Sequence, residues 1–184
     1  MTSVKGKFKA RILDATSMQR ALNRIAHQIL EHNPNVDELA LIGIHNRGVP
    51  LAQRLAVIIR GIEGKAVSTG ALDIAFSHDD LTTSPAHPVV QNVEIPFSIT
   101  GKTIILVDDV LHTGRTIRAA IDALIEFGQP GTIQLAVLID RGHRELPIHA
   151  DYVGKNVPTA SNELVHVLLK ETDHDEQVLI TENK

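Results

Sequence analysis

Two patterns of apolar residues alternate along this 184-residue chain. Short apolar runs, typical of strands buried on both faces, are separated by longer segments in which apolar residues recur with a helical period. Strands are predicted at residues 9–13, 39–44, 65–72, 103–107, 132–139, 165–169 and 178–181, and helices at residues 18–31, 49–62 and 116–127. The last two strands are expected to form a hairpin around residues 173–175, and Gly128 is expected to close the third helix as a C′ glycine, which usually has left-handed backbone. Strands joined by crossover helices form parallel sheets, so the pattern predicts an α/β fold with a mostly parallel central sheet flanked by helices.

Two segments depart from that alternation. Residues 73–101 contain three prolines and show no strong period. A long insertion of this kind in a compact domain is usually a lid or a disordered loop, so we expect a flexible β flap with strands near 74–81 and 89–95. Residues 140–161 are rich in loop-forming residues and are expected to form a small hood.

The string from Thr103 to Thr116 is the most informative part of the chain. An apolar strand leads into Asp108 and Asp109, and residues 113–116 (Thr-Gly-Arg-Thr) precede a helix. Carboxyl ends of parallel strands are where open α/β sheets bind ligands. The loop and the helix N-terminus favour phosphate, whereas carboxylates bind sugar hydroxyls or a divalent metal such as Mg²⁺. A ribose 5-phosphate fits both. An acidic pair alone would be more typical of a turn and a helix cap, but the complete string favours the sugar-phosphate site.

Composition narrows the classes of protein that remain. The length suits one domain spanning residues 1–184, without an apolar run long enough for a membrane span and without an apolar leader. The absence of cysteine excludes disulfides and fits a cytoplasmic protein. With a net charge of −4 and few aromatic residues, any RNA contact would need a local basic face.

The acidic string resembles the phosphoribosyl diphosphate (PRPP) motif of type I phosphoribosyltransferases, and the likeness continues from about residue 11 to residue 181. Residues 140–159 in particular resemble the PyrR family, which comprises pyrimidine-operon RNA attenuation regulators that are also uracil phosphoribosyltransferases. Further matching segments are residues 43–48, 72–74, 79–81 and 134–138.

The resemblance implies a type I phosphoribosyltransferase fold and the reaction of uracil with PRPP to give UMP and diphosphate. Asp108, Asp109 and Arg47 are expected to be catalytic, with the two aspartates ordering Mg²⁺ together with PRPP. Arg47 should face the diphosphate, in a turn that is expected to carry a cis non-prolyl peptide. The residues expected to bind PRPP or the nucleotide are Asn46, Arg47, Gly48, His78, Asp108, Asp109, Val110, Leu111, His112, Thr113, Gly114, Arg115, Thr116, Arg141 and Val157.

The resemblance also implies binding of a hairpin in pyrimidine-operon leader mRNA, with UMP and UTP as signals. The positions matching the RNA-binding face are Asn23, Arg24, His27, His32, Arg144, His149 and Lys155. Without the resemblance, an ordinary solvated helix face would explain the polar residues of the first helix.

Several positions depart from the family pattern. His32 and His149 stand where arginine is usual, and Asn23 stands where threonine is frequent. Because histidine is mostly neutral at pH 7, RNA binding is expected to be weakened and pH-sensitive. His78 replaces an arginine of the lid, and His112 replaces an aromatic residue of the PRPP loop. Transferase activity is therefore expected to be weakened but present.

Other interpretations stay open at this point. The chain could be mainly a uracil phosphoribosyltransferase, or a nucleotide-sensing RNA regulator with weak catalysis. A purine phosphoribosyltransferase is less favoured, since those enzymes usually carry an acidic residue where His112 stands. The resemblance implies a homodimer or a larger oligomer. The apolar residues Met18, Leu22 and Ile29 of the first helix need either a partner surface or the sheet, which fits that expectation without deciding it.

Overall fold

A computed structural model describes residues 5–77 and 87–183 of the chain. The strands are β1 (Lys7–Asp14), β2 (Leu39–Ile44), β3 (Ser68–Ser77), β4 (His87–Glu94), β5 (Thr103–Leu111), β6 (Thr132–Asp140), β7 (Tyr152–Asn156), β8 (Glu163–Leu168) and β9 (Gln177–Glu182). The helices are α1 (Ala15–His32), α2 (Gly48–Glu63), α3 (Arg115–Phe127) and α4 (Lys170–Asp173).

The central sheet has six strands in the order β4-β3-β2-β5-β6-β7. All neighbours are parallel except β3 and β4, so the expected mostly parallel sheet is confirmed. In β2 and β5, successive residues point to opposite faces. Leu41 and Ile105 pack with α1 and α2, whereas Ile42 and Ile104 pack with α3, and all four are fully buried. Burial on both faces explains why these strands appear as unbroken apolar runs.

The first helix needs no partner molecule to cover its apolar face. Met18, Leu22 and Ile29 are at most 1% exposed within the single chain, where α1 packs against α2 and β7. This internal packing fully explains their apolar pattern, so the pattern gives no argument for an oligomer. The expectation that follows from the family resemblance stays a prediction. None of the helices in the described part of the chain is both long and apolar enough to span a bilayer.

Three local differences from the sequence-based expectation matter for the site. First, β5 extends beyond Val107 to Leu111, so Asp108 and Asp109 lie within the end of the strand. Second, β7 forms inside the segment that was expected to be loop-rich. Third, Gly128 ends α3 with extended backbone, where a left-handed cap was expected. A side chain there would collide with Ile99, whose Cγ1 atom lies 2.7 Å from an ideal Cβ position.

A second, antiparallel sheet of order β1-β9-β8 joins the two ends of the described chain. The terminal hairpin is confirmed as β8 and β9, with the short helix α4 between them. The first strand pairs with β9 and not with the parallel sheet. The strands of the predicted flap are also present, as an antiparallel extension in which Ile74 pairs with Val90. The outer part of the flap, including His78, lies outside the described residues.

Candidate active site

The two aspartates sit at the carboxyl end of β5, where local backbone contacts fix their side chains. Asp108 is 9% exposed and Asp109 is half-buried. The Asp109 N–H donates to Asp108 Oδ1 at 2.9 Å, and the Val110 N–H donates to Asp109 Oδ1 at 2.8 Å. Each carboxylate is therefore oriented by the peptide that follows it, before any ligand arrives.

Ionisation of both aspartates is unfavourable, because of burial and because their negative charges repel each other. Burial raises the pKa of Asp108 well above its usual range, and the neighbouring Asp109 carboxylate raises it further. Burial also raises the pKa of Asp109, while the positive charge of Arg47 acts in the opposite direction. A cation or a set of hydroxyl donors would stabilise both charges. Hard carboxylate oxygens of this kind fit Mg²⁺.

Protein side chains alone do not complete a metal site here. Within the described ranges, no group of three or more His, Cys, Asp or Glu side chains could hold a metal ion. The oxygens of a bound substrate would therefore have to supply the other ligands to a Mg²⁺ ion on Asp108 and Asp109. That is the usual situation for Mg²⁺ at phosphate sites.

The predicted phosphate loop leads directly into α3. Gly114 adopts φ +90°, a left-handed conformation that favours glycine, and its carbonyl accepts the first helical hydrogen bond from the Arg118 N–H at 3.0 Å. The Thr113 hydroxyl oxygen accepts from the Arg115 N–H at 3.3 Å. The loop is thus a tight turn at a helix N-terminus, as phosphate binding requires.

The hood supports this loop from behind. The N–H groups of Glu145 and Leu146 both donate to the Thr113 carbonyl, at 3.0 and 3.2 Å. The Arg115 Nε atom donates to Glu145 Oε2 at 2.6 Å, so this guanidinium is directed toward the hood. Thr116 lies in the first turn of α3 and is half-buried.

Opposite the aspartates, the turn after β2 carries Arg47. The His45–Asn46 peptide bond is cis, as the family resemblance implied. The Arg47 guanidinium forms a two-pronged ion pair with Asp173 of α4, with Nε to Oδ2 at 3.0 Å and Nη2 to Oδ1 at 2.7 Å. Sequence reasoning missed Asp173, because it is 126 residues away and lies in what was expected to be a hairpin turn.

Two glycines bring this turn against the motif strand. An ideal Cβ atom on Gly48 would lie 2.3 Å from the Val107 carbonyl oxygen, and one on Gly43 would lie 2.5 Å from the Gly48 carbonyl oxygen. Backbone therefore touches backbone between the Arg47 turn and β5. A pocket of about 520 Å³ opens beside this turn, and its lining includes Asn46, Arg47 and Asp173.

The hood contains a second pocket at the same edge of the sheet. Its volume is about 410 Å³ and it is lined by Asp140, Arg141, Gly142, His143, Arg144, Asn156, Val157, Pro158 and Thr159. The Val157 N–H donates to the Asp140 carbonyl at 2.8 Å, which closes the pocket at one end. The pocket is large enough for a single pyrimidine ring.

Not every predicted contact residue offers its side chain. Arg141 is 5% exposed, and its guanidinium donates to the Glu163 carbonyl at 2.7 Å and to Thr159 Oγ1 at 3.1 Å, so its side chain is directed away from the pocket. Leu111 belongs to the core cluster on the α3 face of the sheet. Val110 packs against the cluster on the opposite face. Burial and the nearby Arg141 lower the pKa of His112, which keeps its ring neutral at pH 7.

Comparison with known proteins decides the family. A model of the phosphoribosyl transferase domain matches residues 9–172. The chain is 59% identical over 174 residues to the bifunctional protein PyrR of Pelotomaculum thermopropionicum, covering 95% of this chain and 96% of that protein. It is 56% identical to the bifunctional protein PyrR of Thermus aquaticus, covering 97% and 98%. The chain belongs to the PyrR family.

Solved structures place the PyrR chain in the type I phosphoribosyltransferase fold. A hypoxanthine phosphoribosyltransferase from Trypanosoma cruzi matches with a TM-score of 0.75 at 18% identity, over 95% of this chain and 96% of that one. A hypoxanthine phosphoribosyltransferase from Staphylococcus aureus matches with a TM-score of 0.71 at 19% identity, over 97% and 92%. At this identity the likeness concerns the fold alone and carries no argument for a purine substrate.

The residues expected to bind RNA in this PyrR protein fall into two groups. Asn23, Arg24 and His27 are exposed on α1, next to the exposed Lys155 of β7. Arg24 Nη2 donates to the carbonyls of Val153, at 3.3 Å, and Gly154. Lys155 Nζ donates to a carbonyl of β1 at 3.4 Å. These four residues are called the α1–β7 surface below.

The remaining candidates lie at the margins of that surface or elsewhere. The His32 ring is 5.7 Å from the ring of Tyr152, at the start of β7, and His149 is exposed in the loop that leads to it. Arg144 is directed toward the active-site edge. It donates from Nε to the Ile148 carbonyl and from Nη1 to the His112 carbonyl, both at 2.8 Å, and from Nη2 to Asp140 Oδ2 at 2.5 Å. These bonds favour a role in shaping the hood, and its contact with RNA stays a prediction.

Proposed function

We propose that this PyrR protein transfers the phosphoribosyl group of PRPP to uracil, giving UMP and diphosphate, and that it binds pyrimidine-operon leader mRNA in response to UMP or UTP. Relatives called bifunctional, at 56–59% identity over nearly the whole chain, favour both activities over either single-activity alternative. The single observation that carries the transferase half is the buried acidic pair, beside a phosphate-binding turn and opposite Arg47.

In the proposed reaction, N1 of uracil displaces diphosphate at the anomeric carbon through a transition state with oxocarbenium character. Catalysis of this kind depends on positioning and on charge stabilisation, and it requires no covalent intermediate with the protein. The turn at residues 113–116 would hold the 5-phosphate through backbone N–H groups and hydroxyls. Asp108 and Asp109 would accept hydrogen bonds from the ribose hydroxyls.

Diphosphate departs with a high negative charge. Arg47 would face it with the donors that Asp173 leaves available. Mg²⁺ bound by PRPP with Asp108 and Asp109 would supply further positive charge at the same step. The flap at residues 73–101, including His78, would exclude water while the hood at residues 140–161 holds uracil by backbone groups.

The proposed RNA site is the α1–β7 surface, with His32 and His149 at its margin. It is small and carries two permanent cations, Arg24 and Lys155, in a protein whose net charge is −4. A small site of this kind is expected to bind a folded hairpin in preference to long single-stranded RNA. It would recognise the hairpin through a few phosphates and bases. We expect binding to be weaker than that of a relative with arginines at positions 32 and 149.

Transferase activity and base preference are tested together by supplying PRPP and Mg²⁺ with labelled uracil, hypoxanthine or guanine. UMP as the only product supports the proposal, and a purine nucleotide as the main product contradicts it.

Gel shift of a pyrimidine-leader hairpin with and without UMP tests the second activity. Sedimentation at several concentrations tests the homodimer, and localisation to the cytoplasm is a further expectation of the proposal.

A further inference from the structure

Asp173 is a buried acid in contact with the proposed catalytic residue Arg47, and the chemistry above does not use it. Its side chain is 2% exposed and accepts both prongs of the Arg47 guanidinium, whose own side chain is 24% exposed. Pairs with this geometry are among the stronger polar contacts in proteins. Separating them would leave a buried carboxylate without its counter-charge, which is strongly unfavourable.

The Asp173 carboxylate is itself held in place. Its Oδ2 atom also accepts from the Leu169 N–H at 3.0 Å and from the Thr172 hydroxyl at 2.7 Å. These two contacts close the single turn of α4 around the carboxylate. Asp173 therefore presents a fixed acceptor edge to Arg47.

A second arginine anchors the same segment to α2. Arg54 donates from Nε and Nη2 to the two carboxylate oxygens of Glu171, at 2.8 and 2.7 Å, and from Nη2 to Glu176 Oε2 at 3.1 Å. The segment around α4 is thus fastened to α2 about two turns beyond Arg47. This second anchor provides a control, because it can be weakened without touching Arg47.

Arg47 pairs with Asp173, and its turn also lies against the acidic pair, because an ideal Cβ atom on the neighbouring Gly48 would lie 3.3 Å from the Asp108 Cα. Its positive charge opposes the rise in the pKa of Asp109. The guanidinium is therefore close enough to act on the space around Asp108 and Asp109, which is called the acidic crevice, or the crevice, below. Of the five N–H donors of a guanidinium, the pair with Asp173 uses one on Nε and one on Nη2. The other three are directed by that pairing. They have no hydrogen-bond acceptor among the described residues and could donate to phosphate oxygens.

We propose that Asp173 is a positioning residue for the transfer reaction, which fixes the Arg47 guanidinium at the diphosphate end of the crevice. The inference rests on the proposed transferase function. It assigns the C-terminal segment around α4, far from every recognised motif, a part in binding PRPP. It also makes a specific claim: the pair persists when diphosphate is bound, and Asp173 does not compete with diphosphate for Arg47.

The test compares Asp173→Asn with the wild type in steady-state kinetics and in calorimetric binding of Mg-diphosphate. We expect KM for PRPP to rise, and affinity for diphosphate to fall, by about tenfold, because a misplaced group loses much of its effect. KM for uracil should stay within twofold of the wild type. The control is Glu176→Gln, which weakens the Arg54 anchor and should leave KM for PRPP unchanged.

A double-mutant comparison separates positioning from a general structural effect. Arg47→Lys removes the fork that Asp173 orients, so Asp173→Asn should change KM for PRPP by less than twofold in that background. Full additivity of the two substitutions would overturn the proposal. So would an equal rise of KM in Glu176→Gln.

The outcomes distinguish this inference from the proposed function. A wild-type protein that makes no UMP contradicts the proposed function, whereas an active wild type with an unaltered Asp173→Asn variant contradicts only the inference. Tighter diphosphate binding in Asp173→Asn would show that the carboxylate competes for Arg47, and it too would overturn the inference. If Asp173→Asn does not fold, Thr172→Val loosens the same carboxylate, and an unchanged KM for PRPP would then count against it.

Discussion

The acidic crevice and the α1–β7 surface are built in opposite ways. In the crevice, Asp108 is buried, Asp109 is half-buried and the pKa of each is raised, so the fold holds these two acids at a cost in stability. On the α1–β7 surface, Asn23, Arg24 and Lys155 are exposed, and the hydrogen bonds of the two cations within the described part of the chain go to main-chain carbonyls. The comparison teaches that surface cations can be exchanged for neutral residues without disturbing packing, whereas the crevice acids are retained for a reason other than stability.

The largest expected effect separates the two regions by function. Replacing both Asp108 and Asp109 by asparagine should lower the rate of UMP formation by at least about 10³-fold, since charge stabilisation at the reacting sugar is lost. Binding of the leader hairpin should be retained. The measurement is turnover of labelled uracil together with gel shift. Asp122→Asn, at an exposed acid on α3, is the matched control, and unimpaired turnover in the double variant would contradict the role of the crevice.

A substitution on the α1–β7 surface tests the other region. Arg24→Gln should weaken hairpin binding about tenfold, the usual worth of one hydrogen bond from a charged donor, while turnover of uracil stays unchanged. Fluorescence anisotropy with a labelled hairpin measures the affinity. Arg60→Gln, at an exposed cation on α2, is the control. An equal loss of affinity in both variants would mean that general charge, and not this surface, governs binding.

A smaller effect should appear with pH. Histidine gains a proton as pH falls from 8 to 6, and a protonated ring can contact phosphate. Hairpin affinity should therefore rise several-fold over that interval, and the rise should shrink in a variant with His27 and His149 replaced by glutamine. Tight binding that does not vary with pH would refute this.

The smallest effect concerns stability in the absence of Mg²⁺ and PRPP. Because the folded-state pKa of Asp108 lies above the unfolded value, the carboxylate destabilises the fold increasingly as pH rises through that folded pKa. Asp108→Asn removes the penalty, so Tm at pH 7.5 should rise by about 2–4 °C, which corresponds to about 1 kcal/mol in a chain of this size. The gain should be smaller at pH 5. A fall of Tm at pH 7.5 would contradict the sign.

The sequence predicted those parts of the fold that depend on residues close together along the chain, and missed those that depend on distant contacts. The strand, acidic pair, loop and helix between Thr103 and Phe127 are consecutive, so the periodic pattern sufficed to predict them. The strand β7 was missed, because Tyr152–Asn156 is short and holds a glycine that packs against Leu138. The pairing of β1 with β9 could not be predicted, since nothing in a single strand specifies a partner that is far along the chain.

The site follows the same rule. Asp108, Asp109 and the phosphate turn were predicted from a contiguous motif, and the cis peptide came from family resemblance. The pairing of Arg47 with Asp173 depends on the way α4 folds onto α2, which no spacing in the sequence encodes. The sequence also could not predict the inward direction of the Arg141 side chain or the hydrogen bonds of Arg144, because a side chain's orientation is set by its three-dimensional surroundings.

The close approach of Gly48 to Val107 has a consequence for attempts to alter specificity. At the end of the crevice proposed to bind diphosphate, two main chains in contact determine its breadth, so no choice of smaller side chains can enlarge it. Libraries intended to accept other leaving groups should keep positions 43 and 48 fixed. The varied positions are better chosen in the hood, where side chains line the pocket and their replacement changes its volume.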